Sequence, residues 1–185
     1  SSTMLPLGTV LPPFDLEVVP GTKIREMYSL KALKSITPKN LSKEPLLVMV
    51  ICAHCPFVKH IEIGITKLDK DYGDKVQILA ISSNSLITHP QDGPQKLAQQ
   101  ANANGWSFPY LLDSHQTFAK ALKAACTPDF FLFSRNNEGE KVLKYRGQLD
   151  NSRPGNEIPV TGSDLRVALE AVLNGKSLDF EQKPS

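Results

Sequence analysis

The sequence predicts an α/β protein: a central mixed β-sheet flanked by helices, with a β-hairpin at its N-terminal end. Three observations predict it. Leu46–Ile51 is an unbroken apolar run and Val76–Ile81 is apolar but for Gln77, the pattern of strands buried on both faces. Segments with apolar residues at helical spacing alternate with them, which places helices against the sheet. Near the C-terminal end, Asp129–Ser134 and Val142–Leu149 alternate around Asn136-Asn137-Glu138-Gly139, a hairpin that makes the sheet mixed.

The elements follow in order. Phe14–Val19 alternates, Pro20-Gly21 turns, and Thr22–Tyr28 alternates again, which reads as the N-terminal hairpin. Ser29 is positioned to cap a short helix through Lys34, and Thr37–Lys43 reads as loop. After the first buried strand, a helix runs from Cys55 to about Tyr72, with Val58, Ile61, Ile65 and Leu68 on one face. Beyond Val76–Ile81, Pro94 suits the first turn of a helix to Asn104, which Gly105 stops. Tyr110–Leu112 is a short strand and His115–Ala125 a helix. Ser163 caps a last helix, Asp164–Leu173, ended by Gly175. No repeat or long polar linker divides the chain, so residues 1–185 form a single domain of ordinary length.

Composition excludes several classes of function. Apolar residues are 41 % and charged residues 22 %, and 21 basic less 19 acidic residues leave a net charge of +2. No basic surface for nucleic acid is expected from that balance. No apolar stretch approaches the roughly 20 residues that cross a bilayer, so no membrane partner is expected. Ser1–Leu7 lacks the basic and apolar regions of a secretory signal, which makes the cytoplasm the expected compartment. No Gly-rich phosphate loop, catalytic serine motif or carboxylate pair stands out, and no cofactor is expected. Three cysteines cannot build a disulfide scaffold, but two of them are three positions apart.

Cys52-Ala53-His54-Cys55 follows the first buried strand and opens the next helix. Unpaired N–H groups and the dipole at a helix start favour thiolate over thiol, and such cysteines have pKa values lowered from about 8.5 to roughly 3.5–7.5. The thiolate is the nucleophile of thiol–disulfide exchange, and a second thiol nearby resolves the mixed disulfide. On this pattern Cys52 is the more exposed attacker and Cys55 resolves. His54, between them, is placed to donate to a thiolate or stabilise it by charge, and so to tune the redox potential. Structural zinc needs four ligands, usually two such pairs, and only one pair is present. No resident metal is therefore expected; the metal alternative is a soft Cu(I) site from Cys52, Cys55 and a histidine.

Downstream, Ala125-Cys126-Thr127-Pro128-Asp129-Phe130-Phe131-Leu132-Phe133 resembles the cis-proline loop of the thioredoxin fold. That resemblance implies that Thr127 and Pro128 form one wall of the site. Together with Cys52–His60 and the Tyr145–Asn156 segment, this block is similar to the peroxiredoxin-like thioredoxin-family proteins. These belong to the alkyl hydroperoxide reductase/thiol-specific antioxidant (AhpC/TSA), or redoxin, superfamily, and the likeness runs from about Gly8 to the C-terminus. It implies a thioredoxin-like fold and a thiol–disulfide oxidoreductase that exchanges Cys52–Cys55 with protein or small-molecule thiols and disulfides. One alternative is a low-efficiency thiol peroxidase in which Cys55 attacks peroxide and Cys52 or Cys126 resolves. Another is a copper-binding or redox-sensing protein without turnover.

Two departures bear on the chemistry. In typical peroxiredoxins a Pro-x-x-x-Thr-x-x-Cys pattern shapes the peroxide pocket; aligned on Cys55, Val48 takes the proline position and Cys52 the threonine position. Peroxidase activity is accordingly expected to be slow, and no arginine is expected beside Thr127-Pro128. The buried aspartate of thioredoxin, six positions before its first cysteine, is Leu46 here, with Glu44 and Glu62 as candidate replacements. Relatives continue past Lys183-Pro184-Ser185 into a short tail with another cysteine, so a tail thiol beyond Ser185 is an expectation of the resemblance. Cys126 is expected to be a buried small hydrophobe, with an auxiliary thiol role as the alternative. His60 should face solvent or a neighbouring loop, and His89 and His115 have no recognisable partners. Arg146 and Arg153 flank Asp150-Asn151-Ser152, to hold that loop or to bind substrate.

Overall fold

A computed structural model describes residues 3–84 and 89–185. Among them, seven strands form one mixed sheet: β1 Leu16–Val18, β2 Ser35–Ile36, β3 Leu46–Val50, β4 Gln77–Ser82, β5 Tyr110–Leu112, β6 Asp129–Arg135 and β7 Lys141–Gly147. Four α-helices accompany it: α1 Pro56–Tyr72, α2 Pro94–Ala103, α3 Thr117–Ala121 and α4 Ser163–Leu173. The spatial order is β2-β1-β5-β4-β3-β6-β7. No described helix is long and apolar enough to cross a membrane.

The two apolar runs become the centre of the sheet. Every residue of β3 and β4 is buried, because neighbouring strands satisfy their backbones and side chains cover both faces. β3 runs parallel to β4, and β4 parallel to β5. β6 lies antiparallel to β3 with Asp129 opposite Val50, and β7 antiparallel to β6 with Gly147 opposite Phe130. These directions bring four chain segments to one end of the sheet: the residues after β3, after β4, before β6 and after β7. On α1 the apolar stripe Val58, Ile61, Ile65 and Leu68 is buried. The helix is tied to α4 by the Tyr72 hydroxyl, which donates to Glu170 at 2.6 Å, and by Arg166–Asp71 at 2.8 Å.

The N-terminal antiparallel pair forms, but with a different second strand. Leu16 and Glu17 pair with Ile36 and Ser35 rather than with the Thr22–Tyr28 segment. That segment alternates because Ile24 and Tyr28 are buried, yet its backbone turns instead of pairing. A short 3-10 turn spans Glu26–Tyr28, and the Tyr28 hydroxyl reaches the carbonyls of Gly73 and Val76 at 2.9 Å each. Ser29 ends this turn in the left-handed region rather than capping a helix through Lys34. Another 3-10 turn, Pro38–Asn40, lies within the Thr37–Lys43 loop. α3 is shorter than the His115–Ala125 pattern; the buried carboxylate of Asp113 accepts the N–H groups of Phe118 and Ala119 at its start.

Both ends of the chain run along β7. Leu143 exchanges backbone bonds of 2.8 Å with Gly8 and Thr9, and the Leu11 N–H reaches the Lys141 carbonyl at 2.8 Å. From the other end, the Lys183 carbonyl accepts the Gln148 N–H at 3.0 Å, and Gln182 bonds both Arg146 N–H and the Lys144 carbonyl. Gly147 makes this approach possible: its φ is +137°, and a Cβ there would stand 2.1 Å from the Lys183 carbonyl oxygen. Gly147→Ala should detach residues 182–185 and cost about 1–3 kcal/mol, through backbone strain and lost contacts. At about 2–4 °C per kcal/mol for a chain of this size, thermal unfolding will show a clear drop in midpoint.

Candidate active site

The convergence of strand ends assembles the site. Residues 51–55 leave β3 and enter α1 at Cys55, its N-cap, with Pro56 in the first turn. The Cys55 carbonyl accepts the N–H groups of Val58 and Lys59 at 3.1 and 3.0 Å. Its sulfur is not used as a cap. It points across to the Thr127 carbonyl at 3.6 Å. The Cys52 sulfur lies 3.6 Å from the hydroxyl of the same residue. Thr127 precedes Pro128 through a cis peptide bond, and its hydroxyl and carbonyl face the two sulfurs. All three cysteines are free thiols.

The expected order of exposure is reversed. Cys52 is 0 % exposed, while Cys55 is partly exposed. Cys52 is three residues upstream of the helix N-cap, at the end of a wholly buried strand, so the core claims its side chain. Burial pushes the Cys52 thiol up to about 11; the Thr127 hydroxyl and the Cys55 backbone N–H pull it part of the way back, and Asp92 and Cys55 add to the rise. Cys126 also departs from expectation. It is exposed, in the loop between α3 and β6, with its sulfur 3.8 Å from the Ser185 carbonyl. Part-burial of the sulfur, then Asp129 and Cys55, raise its pKa, and Arg153 opposes them.

The carboxylate at this site is Asp92, which neither spacing nor motif singles out. It ends a 3-10 turn, Pro90–Asp92, just before α2, and is 0 % exposed. One oxygen accepts the backbone N–H groups of Ala53 at 2.7 Å and His54 at 3.2 Å. The other accepts the Asn84 amide at 2.7 Å and lies 2.5 Å from His54 Nδ1. The only sequence trace of it is an Asp ahead of Gly93-Pro94, a helix-start position where a carboxylate reads as a local cap. Neither candidate replacement for thioredoxin's aspartate takes this place. Glu44 is at the opposite end of β3, with Arg135 at 3.2 Å and Lys141 at 4.0 Å. Glu62 reaches Cys52 only indirectly: Gln100 donates both to Glu62 and to the Cys52 carbonyl at 2.9 Å and accepts from Tyr110.

A ring nitrogen of His54 lies within 4.8 Å of the Cys52 sulfur, and any charge on it would face the Asp92 carboxylate. His89 is partnered after all, with its ring stacked on His54 at 4.8 Å between centroids. Among the described residues, Cys52, His54 and Asp92 form a group whose donor atoms lie within 4.8 Å of one another, and Cys55 is not in it. Both Asp92 oxygens already accept hydrogen bonds, so a metal there would have to displace them. Beside Thr127 a cavity of about 180 Å³ is lined by Phe57, His60, Cys126, Pro128, Leu149 and Arg153, among others. His60 meets a neighbouring loop, 2.7 Å from the Ser152 hydroxyl. An arginine therefore does flank the Thr127-Pro128 loop, contrary to expectation. Its guanidinium is turned inward to the carbonyls of Asp150 and Ser152 and the Gln148 amide oxygen, and it holds that loop. Arg146 instead ties Leu5 to Gln182.

The AhpC/TSA family model matches residues 8–141. An uncharacterized conserved protein of Geobacillus kaustophilus is 41 % identical, superimposes with a TM-score of 0.86, and is matched over 100 % of this chain and 90 % of its own. Mycobacterium tuberculosis AhpC has the same fold at 18 % identity, with a TM-score of 0.61 over 96 % of this chain and 98 % of that one. So does a secreted disulfide oxidoreductase of M. tuberculosis homologous to E. coli DsbE, at 11 % identity, with a TM-score of 0.57 over 85 % and 95 %. No curated protein matches the chain. The fold is thioredoxin-like, as the resemblance implied.

Next to Cys126, Asp129 is pushed from 3.8 up to about 7 by burial, against the Ser185 hydroxyl and the Phe130 N–H that favour its charged form. An acid with a raised folded-state pKa binds its proton more tightly when folded, so stability falls as pH climbs from 3.8 through about 7. Asp129→Asn should flatten that decline. Denaturant midpoints at about pH 5 and pH 8 should differ less in the variant than in the parent.

Proposed function

The chain belongs to the AhpC/TSA family, and on that premise we propose that it is a thiol–disulfide oxidoreductase in which Cys55 attacks and Cys52 resolves. The carrying observation is the placing of two thiols of unequal exposure against one residue, Thr127, at a helix start. The outer sulfur can be reached by a substrate disulfide. The inner one, with a thiol pKa of about 11, is a poor nucleophile in the free protein and acts once a mixed disulfide is held beside it. Protein or small-molecule disulfides are the substrate class, seated along Thr127-Pro128 and the adjoining cavity. The pair carries both electrons itself, so the reaction calls on no organic cofactor.

A second reading is favoured by the same exposure order: Cys55 attacks peroxide, and Cys52 resolves the sulfenic acid. Against speed in that reaction, the threonine position holds Cys52 and the nearby Arg153 spends its guanidinium donors on carbonyl and amide oxygens. Losing one donor oriented toward developing charge costs on the order of a hundredfold or more in rate.

Alkylation of the reduced protein near pH 7 should label Cys55 and the exposed Cys126 well before Cys52. Cys52→Ser should accumulate mixed disulfides through Cys55, whereas Cys55→Ser should trap none. Traps formed only by Cys55→Ser would restore Cys52 as the attacker. Stopped-flow oxidation by hydrogen peroxide should run only modestly faster than that of a free thiol; a rate constant many thousandfold higher would establish the peroxidase reading instead.

A further inference from the structure

The cavity beside Thr127 is sized for one ring. We propose that it is a specificity pocket for a tyrosine side chain flanking the reacting cysteine of a polypeptide substrate, with His60 accepting the phenol hydrogen bond. The inference rests on the exchange reading above and narrows its substrate class.

Size and lining carry it. The cavity measures about 180 Å³, and a cavity of about 150 Å³ with apolar walls holds one benzene ring. Its apolar walls are Phe57, Ile61, Pro128, Leu149 and Pro154. Ile61 and Leu149 are buried and form the floor, whereas Phe57 is 50 % exposed and stands at the mouth. Thr127 belongs to the same lining, and its carbonyl is 3.6 Å from the Cys55 sulfur. At roughly 3.5 Å per extended residue, a chain joined to Cys55 through sulfur reaches the cavity with the side chain of a neighbouring residue.

The polar lining decides what the ring carries. Arg153 is held by the carbonyls of Asp150 and Ser152 and by the Gln148 amide oxygen. The Asp150 carboxylate accepts the N–H groups of Ser152, Thr161 and Gly162. Both charges are answered within the loop, so neither draws an ion into the cavity. His60 differs. The single Ser152 hydroxyl proton goes to the Ile158 carbonyl at 2.5 Å, so the imidazole is the donor in the 2.7 Å bond between His60 Nε2 and that hydroxyl. In the neutral ring Nδ1 then keeps its lone pair as an acceptor, and no described residue bonds it. A phenol hydroxyl supplies the matching donor. A phenylalanine ring would fill the same walls and leave that acceptor unpaired, away from water.

The test uses the full chain in a Cys126→Ser background, so that only Cys52 and Cys55 react. Reduced protein is mixed with disulfide-linked dimers of a blocked tripeptide whose cysteine is flanked on both sides by Tyr, Phe or Ala. Each dimer takes two electrons and two protons from the dithiol and gives two peptide thiols, which are separated and quantified after acid quench. The second-order rate constant should be about thirtyfold higher for Phe than for Ala, the scale of burying one ring. It should be about threefold higher again for Tyr, the scale of one neutral hydrogen bond. His60→Leu should erase the advantage of Tyr over Phe and keep that of Phe over Ala. Phe57→Ala, at a half-exposed position, should cut the advantage of Phe over Ala by about fivefold or more. Ratios are taken within each variant, so a change in overall rate cancels. Equal rates for the three dimers overturn the proposal alone, as does a Tyr preference unmoved in His60→Leu or a ring preference unmoved in Phe57→Ala. Reduction of bis(hydroxyethyl) disulfide but of no dimer also overturns the proposal alone. Reduction of neither overturns the exchange reading together with it.

Discussion

A carboxylate taken out of water must find fixed donors, and how Asp92 finds them determines the shape of the site. The side chain stands after β4, beside the turn that leaves β3, and both oxygens accept N–H groups from that turn or from Asn84. Losing any of these bonds would strand a buried charge, which is far more costly than the bond itself is stabilising. The turn is therefore pinned to the neighbouring strand. It can go only one way, with Cys52 folded into the core and Cys55 delivered to the helix start. Thr127 fixes the opposite side, with its hydroxyl on one sulfur and its carbonyl on the other.

Solvation then divides the labour between two chemically identical groups. The helix begins at Cys55, its N-cap, and leaves that residue partly exposed with its sulfur beside the Thr127 carbonyl. Cys52 stands one turn earlier in the chain and meets mainly apolar neighbours. Spacing alone describes two thiols three residues apart and is silent on which of them the helix begins at. The neighbouring loop after β7 is as firmly held: Arg153 is bonded to three oxygens of residues 148–152, so the cavity wall it forms is built before any substrate arrives.

Much of this was legible in the residues. Leu46–Ile51, apolar throughout, and Val76–Ile81, apolar but for Gln77, declare themselves as central strands because only a strand covered on both faces is so nearly free of polar residues. The α1 stripe is equally plain, and the resemblance alone directs attention to Thr127, which faces both sulfurs. Thr22–Tyr28 misleads because alternation records burial, and Tyr28 is buried by hydroxyl bonds to Gly73 and Val76 rather than by a strand partner. Asp92 was invisible because its partner is 38 positions away and its local setting is that of an ordinary helix-start residue. Cys126 was misplaced for a related reason: composition says that cysteines are buried, while position in a tight loop says otherwise.

The arrangement at β7 has a bearing on how this sheet meets other proteins. An unpaired outer strand is a template on which a foreign strand can add, the usual route to edge-to-edge aggregation. Here residues 8–11 and 182–183 already occupy the hydrogen-bonding positions of β7, and the opposite margin, β2, is two residues long. Neither margin offers room for a visiting strand. Encounters with other chains are thereby steered to the loop-bearing end, and the two tails act as a sealant whose loss would be read first as poor solubility rather than as lost chemistry.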